Sequence, residues 1–181
     1  INLAGHRRQQ VWEAAAQNSG ALRAPALLRN APVHEAPLRL PAAKEGEEIL
    51  FDYASTGLTL RRHPLALLRP RLQKMRLQSA QALQELHSGQ RAAACGLATV
   101  RQRPQTAKGT VFVTLEDETG VVNVIVWKSV REAQRSALLR SRLLAVYGQW
   151  QRDDDSGGQV RHLIAHRLQD LTPLLGRFAE L

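Results

Sequence analysis

Cysteine occurs once in the 181 residues, as Cys95. A single thiol excludes an internal disulfide and any cysteine-rich zinc site. Its extended, apolar surroundings make it a small buried side chain in a strand. Long hydrophobic runs are missing as well. No apolar stretch approaches the ~20 residues that span a bilayer, and no signal-peptide pattern opens the chain. A cytoplasmic protein with no membrane role is therefore expected. The chain opens on Ile1 without an initiator Met, which points to a piece of something longer. Acids are scarce: 16 Asp and Glu face 25 Lys and Arg, a formal net charge of +9. That balance favours a polyanionic partner, because Lys and Arg displace counterions from phosphates. Ribosomal, membrane-surface and nucleic-acid partners all remain compatible with it.

The common catalytic constellations are absent too. There is no Gly-rich phosphate loop and no nucleophile elbow. Asp117 and Glu118 adjoin each other but sit in a tight turn with no acidic or histidine companion, whereas two-metal chemistry needs converging carboxylates. The acidic run 153–158 superficially follows a calcium loop, but loop position twelve is Ile164 instead of Glu. Of six scattered histidines only His162 and His166 are close, and four residues along a strand keeps them apart. No metal, no cofactor and no catalytic residue is expected.

What is present divides into segments. Residues 1–17 read as a helix, stopped by Asn18-Ser19-Gly20, with Trp12 as an apolar anchor. Residues 20–46 carry Pro25, Pro32, Pro37 and Pro41 without a period, as a linker or arm does. A helical stretch follows from Glu47, breaking at Ser55-Thr56-Gly57. Another helix starts at Pro64, with Leu65, Leu67, Leu68 and Leu72 as its apolar stripe. No acid lies between Asp52 and Glu85, while Arg61, Arg62, Arg69, Arg71, Lys74 and Arg76 do. This basic segment is either phosphate-facing or a solvated helix face.

From Arg91 the period becomes two. Ala94–Arg101 reads as a first strand in which Gly96 allows a bend. Gly109–Glu116 and Val121–Trp127 form a hairpin around the turn 117–120. Residues 128–139 are helical, and Arg142–Gln151 and Val160–Leu168 are strands four and five. Strand, strand, strand, helix, strand, strand is the order of an OB-fold, a five-stranded Greek-key barrel with one helix. The expected class is α+β: a helical N-terminal arm followed by this barrel. Its divisions are 1–19, a proline-rich linker 20–46, a helical connector with the basic helix 47–90, the barrel 91–175 and a tail 176–181.

OB-folds hold single strands on strands two and three and on the loops joining strands 1–2 and 4–5. Here the first loop, residues 101–109, is basic and free of acids, offering Arg101, Arg103 and Lys108. Phe112 faces away from Val111, Val113 and Leu115, so it is open to a base if those three are core. Trp127 is either a lid on the barrel or a platform. Trp150 and Arg152 flank the loop between strands four and five, whose acidic tip does not suit phosphate. Arg61, Arg62 and Arg69 complete the candidate nucleic-acid contacts.

The runs Gly96–Pro104 and Ala107–Gly120 resemble the OB region of C-family bacterial DNA polymerases, and the error-prone paralogue of the polymerase III alpha subunit most of all. Tyr53–Leu65 resembles the segment leading into that domain. Gly5-His6-Arg7-Arg8-Gln9 resembles the end of the preceding helix-hairpin-helix region. The resemblance implies a parent enzyme that extends DNA past lesions, is induced by damage, and works in a mutagenic complex. It implies a non-catalytic C-terminal OB module near the single-stranded template, or alternatively one docking an accessory protein of that complex. The family's catalytic aspartates have no match here. The arm 20–46 lacks a Gln-rich, aromatic-ended clamp motif, so contact with the sliding clamp is expected only through an accessory protein.

Overall fold

The computed structural model describes residues 7–23, 40–56, 61–152 and 160–180. The acidic tip 153–158, most of the proline-rich arm, and the sequences around Gly5 and Gly57 lie outside the described residues.

Five strands close into a barrel: β1 (Arg91–Gln102), β2 (Val111–Asp117), β3 (Gly120–Val126), β4 (Leu143–Arg152) and β5 (Arg161–Asp170). Their order around the wall is β1-β2-β3-β5-β4. All neighbours are antiparallel except β3 and β5, which pair in parallel at Val124–Leu163 and Ile125–Ile164. Together with the helical insertion before β4 this is the expected OB-fold. Closure depends on β1 serving two neighbours. It pairs with β4 over Arg91–Leu97 and with β2 from Leu97 onward. Gly96 precedes that switch, and a Cβ there would come within 2.9 Å of the Glu116 backbone. The bend therefore needs a residue without a side chain.

Alternation sorts the wall into two faces. Val111, Val113 and Leu115 of β2 point inward with Val122, Val124 and Val126 of β3, joined by Val146, Trp150 and Leu163. The outer side of β1 and β4 is covered as well. Helix α3 (Pro64–Lys74) lays Leu65, Leu68 and Leu72 against Cys95, Leu143 and Ala145, and the 3-10 run Thr172–Glu180 adds Leu174. Three leucines buried to this degree stabilise the cover by ~1.5–3 kcal/mol each. β4 is accordingly buried on both faces over Leu143–Val146. The short α4 (Ala80–Gln84), N-capped by Ser79, crosses near β3 and β1. The outer side of β2 and β3 presents the exposed Phe112 and Val121 and the half-buried Ile125.

Two helices depart from expectation. α1 (Arg7–Arg23) runs through Asn18-Ser19-Gly20 instead of stopping there, and so enters the expected linker. Such residues cost a helix up to ~1 kcal/mol each, and the alanines, Leu22 and Arg23 on either side are stronger formers. α2 (Glu45–Thr56) then precedes α3. The helix between β3 and β4 is broken into α5 (Lys128–Ala133) and α6 (Arg135–Arg140) at Gln134. The cause lies in β5. Its register against β4 skips His166, between Tyr147–Arg167 and Gly148–Ala165. Gln134 Nε2 donates to the His166 carbonyl (3.2 Å), and its Oε1 accepts from the Leu168 amide (2.7 Å). The helix opens where one side chain satisfies the bulge.

Candidate nucleic-acid interface

The outer β2–β3 face carries an aromatic cleft. Phe112 lies opposite Ile125 in the ladder. It is 39% exposed, and Trp127, just past β3, is 51% exposed. Their cleft is completed by Lys108, Thr110 and Lys128, with no acid among its lining residues. Lys108 and Gly109 both adopt positive φ, 45° and 90°, as the loop turns back into β2. Glycine takes that conformation at no steric cost. Lys108 is thereby held in the open beside the two rings. Exposed aromatic faces flanked by cations can stack bases and track a phosphate backbone.

Behind the same loop, a cavity of about 380 Å³ separates the end of β1 from α5 and α6. Arg101, Arg103, Arg131 and Arg135 line it, and Glu132 is its single acid. Arg101 is held by carbonyls: Nε donates to Leu138 O (2.7 Å), and the other nitrogens to Ala98 O and Ser141 O. Burial pulls its pKa below the ordinary arginine range. It therefore ties off the end of α6 as well as facing the cavity.

The expected contacts separate into those the structure brings together and those it does not. Arg103, Lys108, Phe112 and Trp127 surround one loop and one strand face. Trp150 is corrected: it is 1% exposed, inside the barrel, where no base can reach its ring. Its position shares inward parity with Val146 and Gly148, between the exposed Gln149 and Gln151. Arg69 is corrected too. Its guanidinium lies against Glu118 (Nη2–Oε2 2.8 Å) and Asp117 (Nη2–Oδ2 3.0 Å). Burial lowers its pKa, but the hydrogen bond to Glu118 and the two negative charges outweigh that, and the net shift is upward. Arg61 and Arg62 precede α3 and pair with Glu48 and Glu45 of α2. Arg152 donates to the Gln84 carbonyl at 2.6 Å, strapping β4 to the end of α4. The acid-free segment thus finds its acids elsewhere in the chain.

Lys128, Arg131 and Arg135 were missed. Lys128 and Arg131 share a side of α5 at a spacing of three and Arg135 follows in α6, but the same stretch draws attention to the buried Leu138 and the half-buried Val130 and Ala137. Cys95 is 2% exposed, and burial pushes its thiol up to about 12, which suits an inert packing role. Among the described residues no group of three or more His, Cys, Asp or Glu is placed to hold a metal ion. No helix among them is long and apolar enough to cross a membrane.

An OB-fold nucleic acid binding domain family matches residues 95–171. Error-prone DNA polymerases match nearly the whole chain: 56% identity over 180 residues in Ralstonia nicotianae, covering 99% of this chain and 16% of the relative. In Bordetella parapertussis the identity is 51%, over 98% of this chain and 16% of the relative. The chain is similar to one segment of these error-prone DNA polymerases. It spans about 16% of the length of those relatives. Asparaginyl-tRNA synthetase from Pyrococcus horikoshii is similar over 52% of this chain and 22% of its own, at 21% identity and a TM-score of 0.43, too low to add to the assignment. Residues 95–171 thus form an OB-fold nucleic acid binding domain, and the Phe112–Trp127 cleft lies on the outer side of its β2 and β3.

Proposed function

We propose that this segment is the non-catalytic C-terminal module of a translesion polymerase, active in the damage response, and that it holds single-stranded template DNA on the outer face of β2 and β3. The observation that carries the reading is the Phe112–Trp127 cleft. Its two exposed aromatics sit beside Lys108 and Lys128 on the outer side of β2 and β3. Stacking on these rings supplies sequence-tolerant affinity, and the lysines and Arg103 follow the phosphates. Catalytic carboxylates belong to another part of the parent enzyme, and delivery to the sliding clamp falls to an accessory protein of the mutagenic complex. No separate observation favours the alternative in which the barrel docks that accessory protein.

A titration of fluorescent oligothymidylate at rising salt tests this. Affinity should fall at least about tenfold between low and physiological salt. Replacing Arg103, Lys108 and Lys128 together by Ala should flatten the dependence. Absence of oligonucleotide binding at low salt would refute the proposal.

A further inference from the structure

The arginine-lined cavity behind the β1–β2 loop is unlike the aromatic cleft in chemistry. It offers no ring to a base. Arg131 is mostly buried, its side chain 18% exposed. Its Nη2 reaches the neighbouring Glu132 Oε1 at 3.1 Å, but its Nη1 is buried with no hydrogen-bond partner. A buried guanidinium nitrogen without an acceptor costs free energy that a ligand oxygen would recover. Arg101 is immobilised by the three backbone carbonyls described above, so it brings a fixed positive charge to the wall with no carboxylate beside it. Arg103 and Arg135 stand exposed at the rim. Four guanidiniums against one carboxylate leave a surplus of positive charge around a partly enclosed space. Planar guanidinium forks match the oxygens of a phosphate and bind them in pairs.

The cavity and the aromatic cleft are contiguous. An ideal Cβ at Gly109 would lie 3.5 Å from Lys128 Cδ and 3.6 Å from Arg131 Nη1. Lys128 belongs to the cleft and Arg131 to the cavity, and the two meet over this one glycine. Val111 forms part of the cavity wall, and its neighbour Phe112 part of the cleft.

We propose that the cavity bounded by Arg101, Arg103, Arg131 and Arg135 is a phosphate site, taking a backbone phosphodiester of the strand whose base stacks on Phe112. The assignment rests on the single-strand reading above. Arg131 is its central ligand, because its free nitrogen points to an absent acceptor. The strand leaves the aromatic cleft across Gly109 and is gripped there, so the loop clamps sugar-phosphate on one side and base on the other.

The test uses the whole 181-residue chain. In the first arm, inorganic pyrophosphate is titrated while the arginine Nε–Hε resonances are followed. The Arg131 signal should shift saturably, and the shift of the remaining cavity arginines should be lost in Arg131→Gln. In the second arm, oligothymidylate affinity is measured against salt. Arg131→Gln should bind about tenfold more weakly and lower the log–log slope by ~0.7, one single-strand phosphate contact. Phe112→Ala should weaken binding while keeping the slope. Arg135→Gln, at the exposed rim, gives the same readout in case Arg131→Gln disturbs α5. If both arginine variants match the native chain within twofold while Phe112→Ala is weaker, the cavity assignment is overturned and the single-strand reading survives. If pyrophosphate shifts Arg131 but no oligonucleotide binds, the site takes free phosphate, and both the strand assignment and the proposed function are overturned. Silence in both arms also overturns both.

Discussion

Arg69 Nη2 lies 3.0 Å from Asp117 Oδ2, so that α3 is pinned to the β2–β3 turn by a nearly buried ion pair. Asp117 is the hub of this joint. Its carboxylate also accepts from the amides of Ala80 (2.7 Å), Thr119 (2.7 Å) and Gly120 (3.0 Å). Glu118 grips the other edge of the same guanidinium. The joint holds α3 in place over β1 and β4.

Removing one partner of a buried pair strands the other charge. Arg69→Met should lower stability by about 3–5 kcal/mol in urea unfolding. Oligonucleotide affinity of the folded variant should stay unchanged, since Arg69 is turned inward to the joint. A variant with native stability and lost DNA binding would restore Arg69 as a phosphate contact.

The three tryptophan and phenylalanine positions expected as platforms should divide by readout. Phe112→Ala and Trp127→Ala should each cost about 1–3 kcal/mol of oligonucleotide binding with little change in Tm. Trp150→Ala should cost about 3–5 kcal/mol of stability through its cavity. Trp150→Phe should be far milder, because the indole Nε1 is buried without a partner and nothing is lost with it. Thermal melts beside binding isotherms separate the two groups.

His63 makes stability depend on pH. Its Nδ1 accepts from the Leu65 amide at 3.2 Å, capping α3. Burial depresses its pKa, against the opposing pull of Glu116, Glu118 and Asp117. The unfolded chain therefore takes up the proton first. The contribution is present above the unfolded value, about 6.5, and is lost as pH falls through it towards the folded value. Protonation also removes the acceptor that caps the helix. His63→Asn keeps a capping oxygen that does not titrate. Between about pH 7.5 and 5.5, Tm should fall further in the native chain than in His63→Asn; equal slopes would rule the histidine out.

Gly148 sits at the β4–β5 bulge, where an ideal Cβ would lie 1.8 Å from the Ile164 carbonyl oxygen. Backbone cannot yield to that contact without breaking the local register. Gly148→Ala should cost about 3 kcal/mol or more. Gly176→Ala, with nothing within 4 Å of its Cβ, should leave Tm unchanged. Melting both variants provides the comparison.

Period-two alternation in 109–127 was enough to place Val111, Val113 and Leu115 inside and Phe112 outside, because a strand has only two faces and burial selects one. Strand order and the helix position were legible for the same local reason, and so was the acid-free loop from Arg101 to Gly109. Trp150 and Arg69 were not. Trp150 does alternate with the exposed Gln149 and Gln151, but its place beside the β4–β5 loop matched a contact residue equally well until the closed barrel put its ring inside. Arg69 finds Asp117 and Glu118 nearly fifty residues away, a pairing that only the packing of α3 on the barrel creates. Sequence alone determined which residues form the barrel. Tertiary structure decided which arginines are tied to distant carboxylates and which stand in the open, since a guanidinium meets such an acid only where the fold brings one to it.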